Sequence, residues 1–395
     1  MKIGFQGWFL AQPYTGIGQH CIGLLRAIAA QKKSHSRSQS RGSNSADSRP
    51  KLIIPVPRKI KIAGIPQDWL HVLPPKKWIP IAGLKKWYWE RAQVPAFFAK
   101  KNPDWEHYPY PCPLPRYSPN LRSVTVHDLI PWQDARYKSN FIKTRYYKLA
   151  RHSLVDADHV FTVSQSTHKE MGIPVATLLP NALPKIPKLD RTRIAKIKKK
   201  QKSHPALIYL GGYDIRKNVP LLVEAFQNLR KKNPEMELWL IGEAHHKSKY
   251  YPEFPTEGPD AEGVRCLGKL PNRKLYEILT ASFGFIHFSD SEGFNIPLLQ
   301  TMAAGLPAIV ADIPVNREVS ADSALFITLP DPSTPAEKAM PAAKRSASLN
   351  RQLSAKIRTL KNAKSRSRIV KAQKAAARRY SWERSAKLFL AALKK

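Results

Sequence analysis

Residues 288–310 read FSDSEGFNIPLLQTMAAGLPAIV, with a single carboxylate, Glu292, directly before Gly293, Phe294, Asn295 and Ile296. The preceding run GFIHF (284–288) is β-branched and aromatic, as a buried strand requires. Gly293 permits a tight turn, and Pro297 suits the start of a helix, where no amide hydrogen is needed. LLQTMAA continues as a helix that Gly305 and Pro307 stop, and AIVA opens the next strand. This grammar puts Glu292 at the carboxyl end of a strand beside a helix N-terminus, where open α/β sheets bind ligands.

Three other segments carry capable side chains. YLGGYDIRKNVPLLVEAF places Arg216 and Lys217 after a glycine turn at the start of a helix. Two cations at a helix N-terminus suit a diphosphate, since arginine can clamp two oxygens and lysine acts as a point charge. Generic surface basicity is the competing reading. VTVHDLIP ends a strand with His127 and Asp128, and a histidine there can hydrogen-bond a sugar hydroxyl or a developing charge. A structural histidine fits the same pattern. YTGIGQH offers Gly16 and Gly18, whose backbone amides could approach an anion, although paired glycines also serve turns alone.

These segments need a scaffold, and the chain alternates to provide one. KIGF, LIIPV, SVTVHD and HVFTVS read as strands in the first half, and ALIYLGG, ELWLIG, FGFIHF, PAIVA and ALFIT in the second. Amphipathic stretches such as QHCIGLLRAIAA and PLLVEAFQNLRKKN lie between them. Strand–helix alternation in two halves predicts an α/β chain of two Rossmann-like, doubly wound domains. The expected division is a first domain over 1–188, with a low-complexity loop at 34–50, a basic linker over 189–204, a second domain over 205–375, and a terminal helix over 376–395.

With 395 residues, the chain can bury two cores. Its three cysteines lie far apart, which argues against a disulfide framework or a zinc site. No window approaches the roughly 18 apolar residues that span a bilayer, so a cytoplasmic or peripheral protein is expected. The formal net charge is +37, and residues 344–395 hold seventeen Lys/Arg against one acid, Glu383. Such an excess attracts polyanions, but no nucleic-acid-binding signature accompanies it. Residues 74–101 interleave lysine pairs with Trp78, Trp87, Tyr88 and Trp89, a mixture suited to an anionic membrane surface or to a core with lysines over it.

Taken in order, TGIGQH, HDLIP, FTVSQSTHKE, LPNAL, GGYDIRKN, CLGKLPNRKLYEILTAS, SEGFNIPLLQTMAAGLPAIVAD and RRYSWERSAKLF resemble glycosyltransferase family 4, whose members have the GT-B fold. That resemblance implies two domains facing across a cleft, the last helix crossing back to the first, and a nucleotide-sugar donor held mainly by the second. Arg216 and Lys217 would then neutralise the departing diphosphate, with the Gly16–Gly18 loop approaching it. Glu292 would bond the transferred sugar while the Gly293–Ile296 backbone closes over it, and His127 would reach that sugar from the first domain. Anomeric retention, no cofactor and no metal are implied too, with a glycan or lipid-linked acceptor. Two departures stand out. The family pattern is a pair of glutamates with seven residues between them, and the second, which contacts the ribose, is here Gln300. An arginine that often precedes the lysine is replaced near Gly212. A catalytically inactive homologue and a basic polyanion-binding protein are the rival readings.

Overall fold

The computed structural model describes residues 1–31, 50–137, 141–172, 176–242, 262–330 and 342–394. The chain divides into two compact units, Met1–Ala182 with Ser381–Lys395, and Leu183–Tyr380.

The first unit is built on a parallel sheet of β1 (Lys2–Phe5), β2 (Lys51–Val56), β3 (Leu70–Val72), β4 (Trp105–Tyr108), β5 (Leu121–Val126), β6 (His159–Thr162) and β7 (Ala176–Leu178). Their order among the described residues is β3-β2-β1-β4-β5-β6-β7. The chain reverses direction across the sheet between β1 and β4. The second unit repeats the plan with β8 (Ala206–Leu210), β9 (Glu237–Ile241), β10 (Val264–Gly268), β11 (Gly284–His287), β12 (Ala308–Ala311) and β13 (Leu325–Ile327). Its order is β10-β9-β8-β11-β12-β13, again all parallel, with the reversal between β8 and β11.

The central strands are apolar on both faces because helices cover both, so they read as continuous runs rather than alternations. ALIYL (β8) is buried at every residue. Its core neighbours include Phe226, Leu238, Leu240 and Ile286, with Leu353 and Ile357 from the helix Ala342–Lys361. The loops after β8 and β9 touch backbone to backbone. A Cβ on Gly242 (φ 146°) would lie 1.8 Å from the carbonyl oxygen of Gly211, which only glycine can avoid.

Three expectations about the division change. The boundary falls between Ala182 and Leu183, ahead of residue 188. The expected linker over 189–204 is a helix, Arg191–Ser203, belonging to the second unit and packed on the helix Asn272–Ala281. Asp190 caps it by accepting from the amides of Thr192 and Arg193, and half-buried Ile194 and Ile197 supply a narrow apolar stripe that the lysines obscure. The return to the first unit begins at Ser381 rather than 376, because the helix Ala363–Ala377 runs past that point. Ser381 then caps a new helix, Trp382–Ala392. The strands β3, β4, β7 and β10, absent from the expected set, are short or carry polar residues. Of the expected loop at 34–50, all but Pro50 lies outside the described residues.

Candidate active site

The strongest site candidate lies at the β8/β11 reversal of the second unit. After β8 the chain turns through Gly211 and Gly212 into a short 3-10 turn, Ile215–Lys217, capped by Asp214 through the amide of Arg216. Asn218, in the left-handed region (φ 49°), separates this turn from the helix Val219–Arg230. Arg216 and Lys217 therefore precede that helix in a turn of their own, a correction to their expected place at its start. Asn218 closes the crevice from below, its amide donating to the Phe288 carbonyl (3.0 Å) and the Asp290 carboxylate (3.2 Å).

Glu292 follows β11 and meets both cations. Its Oε2 lies 2.8 Å from Nη1 of Arg216, and its Oε1 accepts from the Lys217 ammonium. Arg216 also donates to the Ser291 carbonyl at 2.6 Å. The Lys217 and Glu292 side chains are 9 % and 8 % exposed, so these charges interact with little water between them. Burial lowers the Lys217 pKa to about 8, and Arg216 adds to the fall while Glu292 resists it. Burial opposes the Glu292 charge as well, but Arg216 and Lys217 outweigh it and hold the carboxyl well below the usual carboxylate range. Behind the group stands His287, which no motif had singled out. It is fully buried, stacked on Tyr209 (5.6 Å between ring centroids), and its Nε2 lies 3.9 Å from Glu292. Burial takes its pKa down to about 3, so it is neutral.

Asn295 shapes the turn that carries Glu292. It adopts φ 60°, its Oδ1 accepts from the amide of Leu298 at 3.1 Å, and its Nδ2 donates to Asn316 at 2.8 Å. Its side chain is thus committed to capping the helix Ile296–Ala304, in which Pro297 is the second residue. Gly293 and Phe294 are buried, Phe294 edge-on to Tyr380 at 5.2 Å, and Ile296 is half-buried. What this stretch can offer a ligand is backbone. Gln300 lies one turn further along the helix, half-buried beside the Tyr276 hydroxyl.

The first unit gathers its own set. Thr15 caps the helix Gly16–Ala30 by accepting from the Gly18 amide at 3.0 Å. A Cβ on Gly18 would sit 2.2 Å from the Gln12 carbonyl oxygen, so this glycine is required by the close turn, whereas Gly16 faces open space. The Gly18 amide is therefore already committed to Thr15. One turn on, His20 is buried, donates from Nδ1 to the Asn181 side-chain oxygen (2.9 Å), and stands edge-on to His127 at 4.8 Å. His127 follows β5 and its Nε2 donates to the Pro109 carbonyl at 2.9 Å. A carbonyl only accepts, so the proton sits on Nε2 and Nδ1 keeps its lone pair. Burial and then His20 lower the His127 pKa to about 3. His127 is therefore neutral, with its acceptor at Nδ1.

Residues 190–372 match the family described as Glycosyl transferases group 1. That stretch is a glycosyl transferases group 1 domain. The chain is 25 % identical over 339 residues to the O-antigen chain mannosyltransferase B of Escherichia coli, covering 82 % of this chain and 86 % of that one. It is 24 % identical to the O-antigen chain mannosyltransferase RfbU of Salmonella typhimurium over 53 % of this chain and 57 % of that one. Among solved structures, Anabaena Alr3699/HepE in complex with UDP and glucose aligns with a TM-score of 0.66 at 14 % identity, covering 100 % of both chains. WaaG, a glycosyltransferase involved in lipopolysaccharide biosynthesis, aligns with a TM-score of 0.64 at 12 % identity, covering 98 % of this chain and 97 % of that one. The fold is GT-B, as the succession of motifs implies.

Within this glycosyltransferase, Arg216, Lys217 and Glu292 converge, and Asn295 builds their turn. His127 and the helix of Gly16 and Gly18 meet through His20. Sequence reasoning missed His287 and Asn218. The signal was present, since GFIHF sets an ionisable ring inside an otherwise apolar strand one residue from its end.

Proposed function

We propose that this glycosyltransferase moves a sugar from a nucleotide-sugar to a glycan or lipid-linked acceptor in cell-envelope or surface-polysaccharide synthesis, as a member of family 4. The observation that carries the reading is the convergence of Arg216 and Lys217 on Glu292 at the reversal point of the second sheet. When the bond from sugar to diphosphate breaks, negative charge grows on the departing phosphate oxygens. Two fixed cations in a poorly hydrated crevice stabilise that charge without further reorganisation. A phosphate that takes over the cations leaves the Glu292 carboxylate to accept from the hydroxyls of the sugar being transferred. Gln300 would reach the ribose, and the backbone of Gly293–Ile296 would close on the sugar. Anomeric retention and independence of metal belong to this reading, the cations standing where other transferases use a divalent ion. So does a cytoplasmic or membrane-peripheral location, which suits a lipid-linked acceptor.

Two relatives named mannosyltransferases favour mannose as the sugar. A calorimetric screen of GDP-mannose, UDP-glucose and the other common nucleotide-sugars, followed by donor-hydrolysis assays, tests the proposal. Saturable binding and turnover of one donor are expected. Binding without turnover would identify an inactive homologue, and failure of every donor would remove the transferase reading.

A further inference from the structure

The lysine- and tryptophan-rich stretch at 74–101 separates into an inward part and an outward part. Lys86 turns inward, 2.6 Å from the buried carboxylate of Glu90, donating to the Tyr146 hydroxyl at 3.1 Å, and over the Tyr110 ring at 4.6 Å. Trp89 is fully buried and donates its indole N–H to the Leu73 carbonyl at 2.6 Å. Those residues fit the core reading of the stretch, and Lys86 of the Lys85–Lys86 pair is engaged there.

The outward part is the turn before the helix Ala82–Tyr88. Trp78 is 71 % exposed, Ile81 56 % and Leu84 38 %. Exposed Lys76 and Lys77 stand directly before them. Glu90, the one acid of this stretch, is buried, so residues 74–101 expose no negative side chain. The turn is braced rather than loose. The Gln93 side chain accepts from the Lys76 amide (3.3 Å) and donates to the Pro74 carbonyl (3.0 Å), and buried Ile79 pins the middle. Chain held this firmly still leaves an indole and two aliphatic side chains in water, which folding alone does not call for. Beside it, joined through the Lys86–Tyr146 contact, runs the helix Phe141–Val155. That helix contains no acid, and it exposes Phe141, Arg145, Lys148 and Arg151.

We propose that the turn Lys76–Leu84 is a membrane-docking tip that inserts Trp78, Ile81 and Leu84 into the headgroup region of an anionic bilayer, with Lys76 and Lys77 on the lipid phosphates and the basic face of Phe141–Val155 adding attraction. Indole and aliphatic groups gain from leaving water at that depth, and cations near the surface gain from its negative potential. Polynucleotide would satisfy the lysines but offers little to Ile81 and Leu84, so the apolar residues decide for lipid. The surface is independent of the transferase chemistry, and its test reads lipid alone.

The experiment is flotation of the full chain with phosphatidylcholine vesicles with or without phosphatidylglycerol, at low and high salt. Binding should need phosphatidylglycerol and weaken as salt rises. Lys76→Gln with Lys77→Gln should lower partitioning by about twenty-five-fold, at roughly fivefold per lysine. The triple change Trp78→Ser, Ile81→Ser and Leu84→Ser should lower it at least as far, with a cooperative unfolding transition retained, because Trp78 and Ile81 are mostly exposed and Leu84 is partly so. No flotation at low salt overturns the proposal, as does wild-type flotation by the triple variant. Release by duplex DNA together with indifference to the apolar changes would make this a polynucleotide surface instead.

Discussion

Glu292 binds Arg216 at 2.8 Å through one carboxylate oxygen and Lys217 through the other, so a single anion holds together two neighbouring cations. Without it, the adjacent guanidinium and ammonium would repel each other in a buried crevice. The site thus contains its own counter-ion, which a diphosphate is chemically suited to replace.

Lys217 supplies the clearest pH signature. With its pKa at about 8, it loses its charge as pH rises through that value, and nucleoside diphosphate affinity should weaken in step. Lys217→Arg should flatten the profile, since a guanidinium does not titrate there. Lys217→Ala should lower turnover about tenfold to a hundredfold, for the loss of a charge-assisted bond of roughly 1.5–3 kcal/mol. Calorimetric titrations on both sides of pH 8 check this, and a flat wild-type profile would place the phosphates elsewhere. Stability follows the opposite sense. The unfolded lysine holds its proton more tightly, so the penalty of burying the charge is full below pH 8 and fades between that value and the ordinary 10.5.

Glu292→Gln should abolish transfer while leaving nucleoside diphosphate binding intact or tighter, because the cations lose their internal competitor. Calorimetry with the diphosphate at pH 6.5 and a product assay separate the two effects. An affinity that falls as far as transfer does would make Glu292 a purely structural residue.

Gln300→Glu introduces a carboxylate beside the Tyr276 hydroxyl and, in the proposed site, near the ribose. Nucleotide binding should tighten by up to about tenfold, measured as the dissociation constant of the nucleoside diphosphate. Loss of binding would mean that the pocket is adapted to an amide.

Asn295 combines a left-handed backbone, a helix cap and a bond to Asn316. Asn295→Ala should cost about 2–3 kcal/mol, the sum of strain and a lost cap, whereas Asn295→Gly keeps the conformation and should cost about 1 kcal/mol or less. Urea unfolding followed by a probe in the second unit orders the two, and equal losses would refute a conformational role.

Much of the architecture was legible because parallel strands covered on both sides are uniformly apolar, and ALIYL, ELWLI and AIVA could hardly be anything else. WEHY (β4) escaped notice although it is wholly buried, because its glutamate and histidine find partners only in three dimensions. The helix at Arg191–Ser203 was hidden by its lysines, which cover a stripe only two isoleucines wide. At the site, the positions of Arg216, Lys217 and Glu292 followed from turn residues at strand ends. Their mutual pairing did not, since residues 75 or more apart in sequence meet only through the order of the strands. His127 was legible as a strand-end residue, but its protonation depends on the Pro109 carbonyl, which no spacing announces.

The helix Trp382–Ala392 completes the first unit with residues made long after the rest of it. Phe389 is fully buried, 4.8 Å from the His107 ring and 5.2 Å from that of Phe161, and Trp382 fills the space over Gly23. A ribosome releases Ala182 and must then make about 200 more residues, some 10–40 s of synthesis at typical rates, before that aromatic plug exists. The second unit, continuous in sequence, can close its core first. The nascent first unit spends that interval with an unfilled apolar slot, so it is the half that a chaperone would guard and the half in which a premature stop codon does its damage.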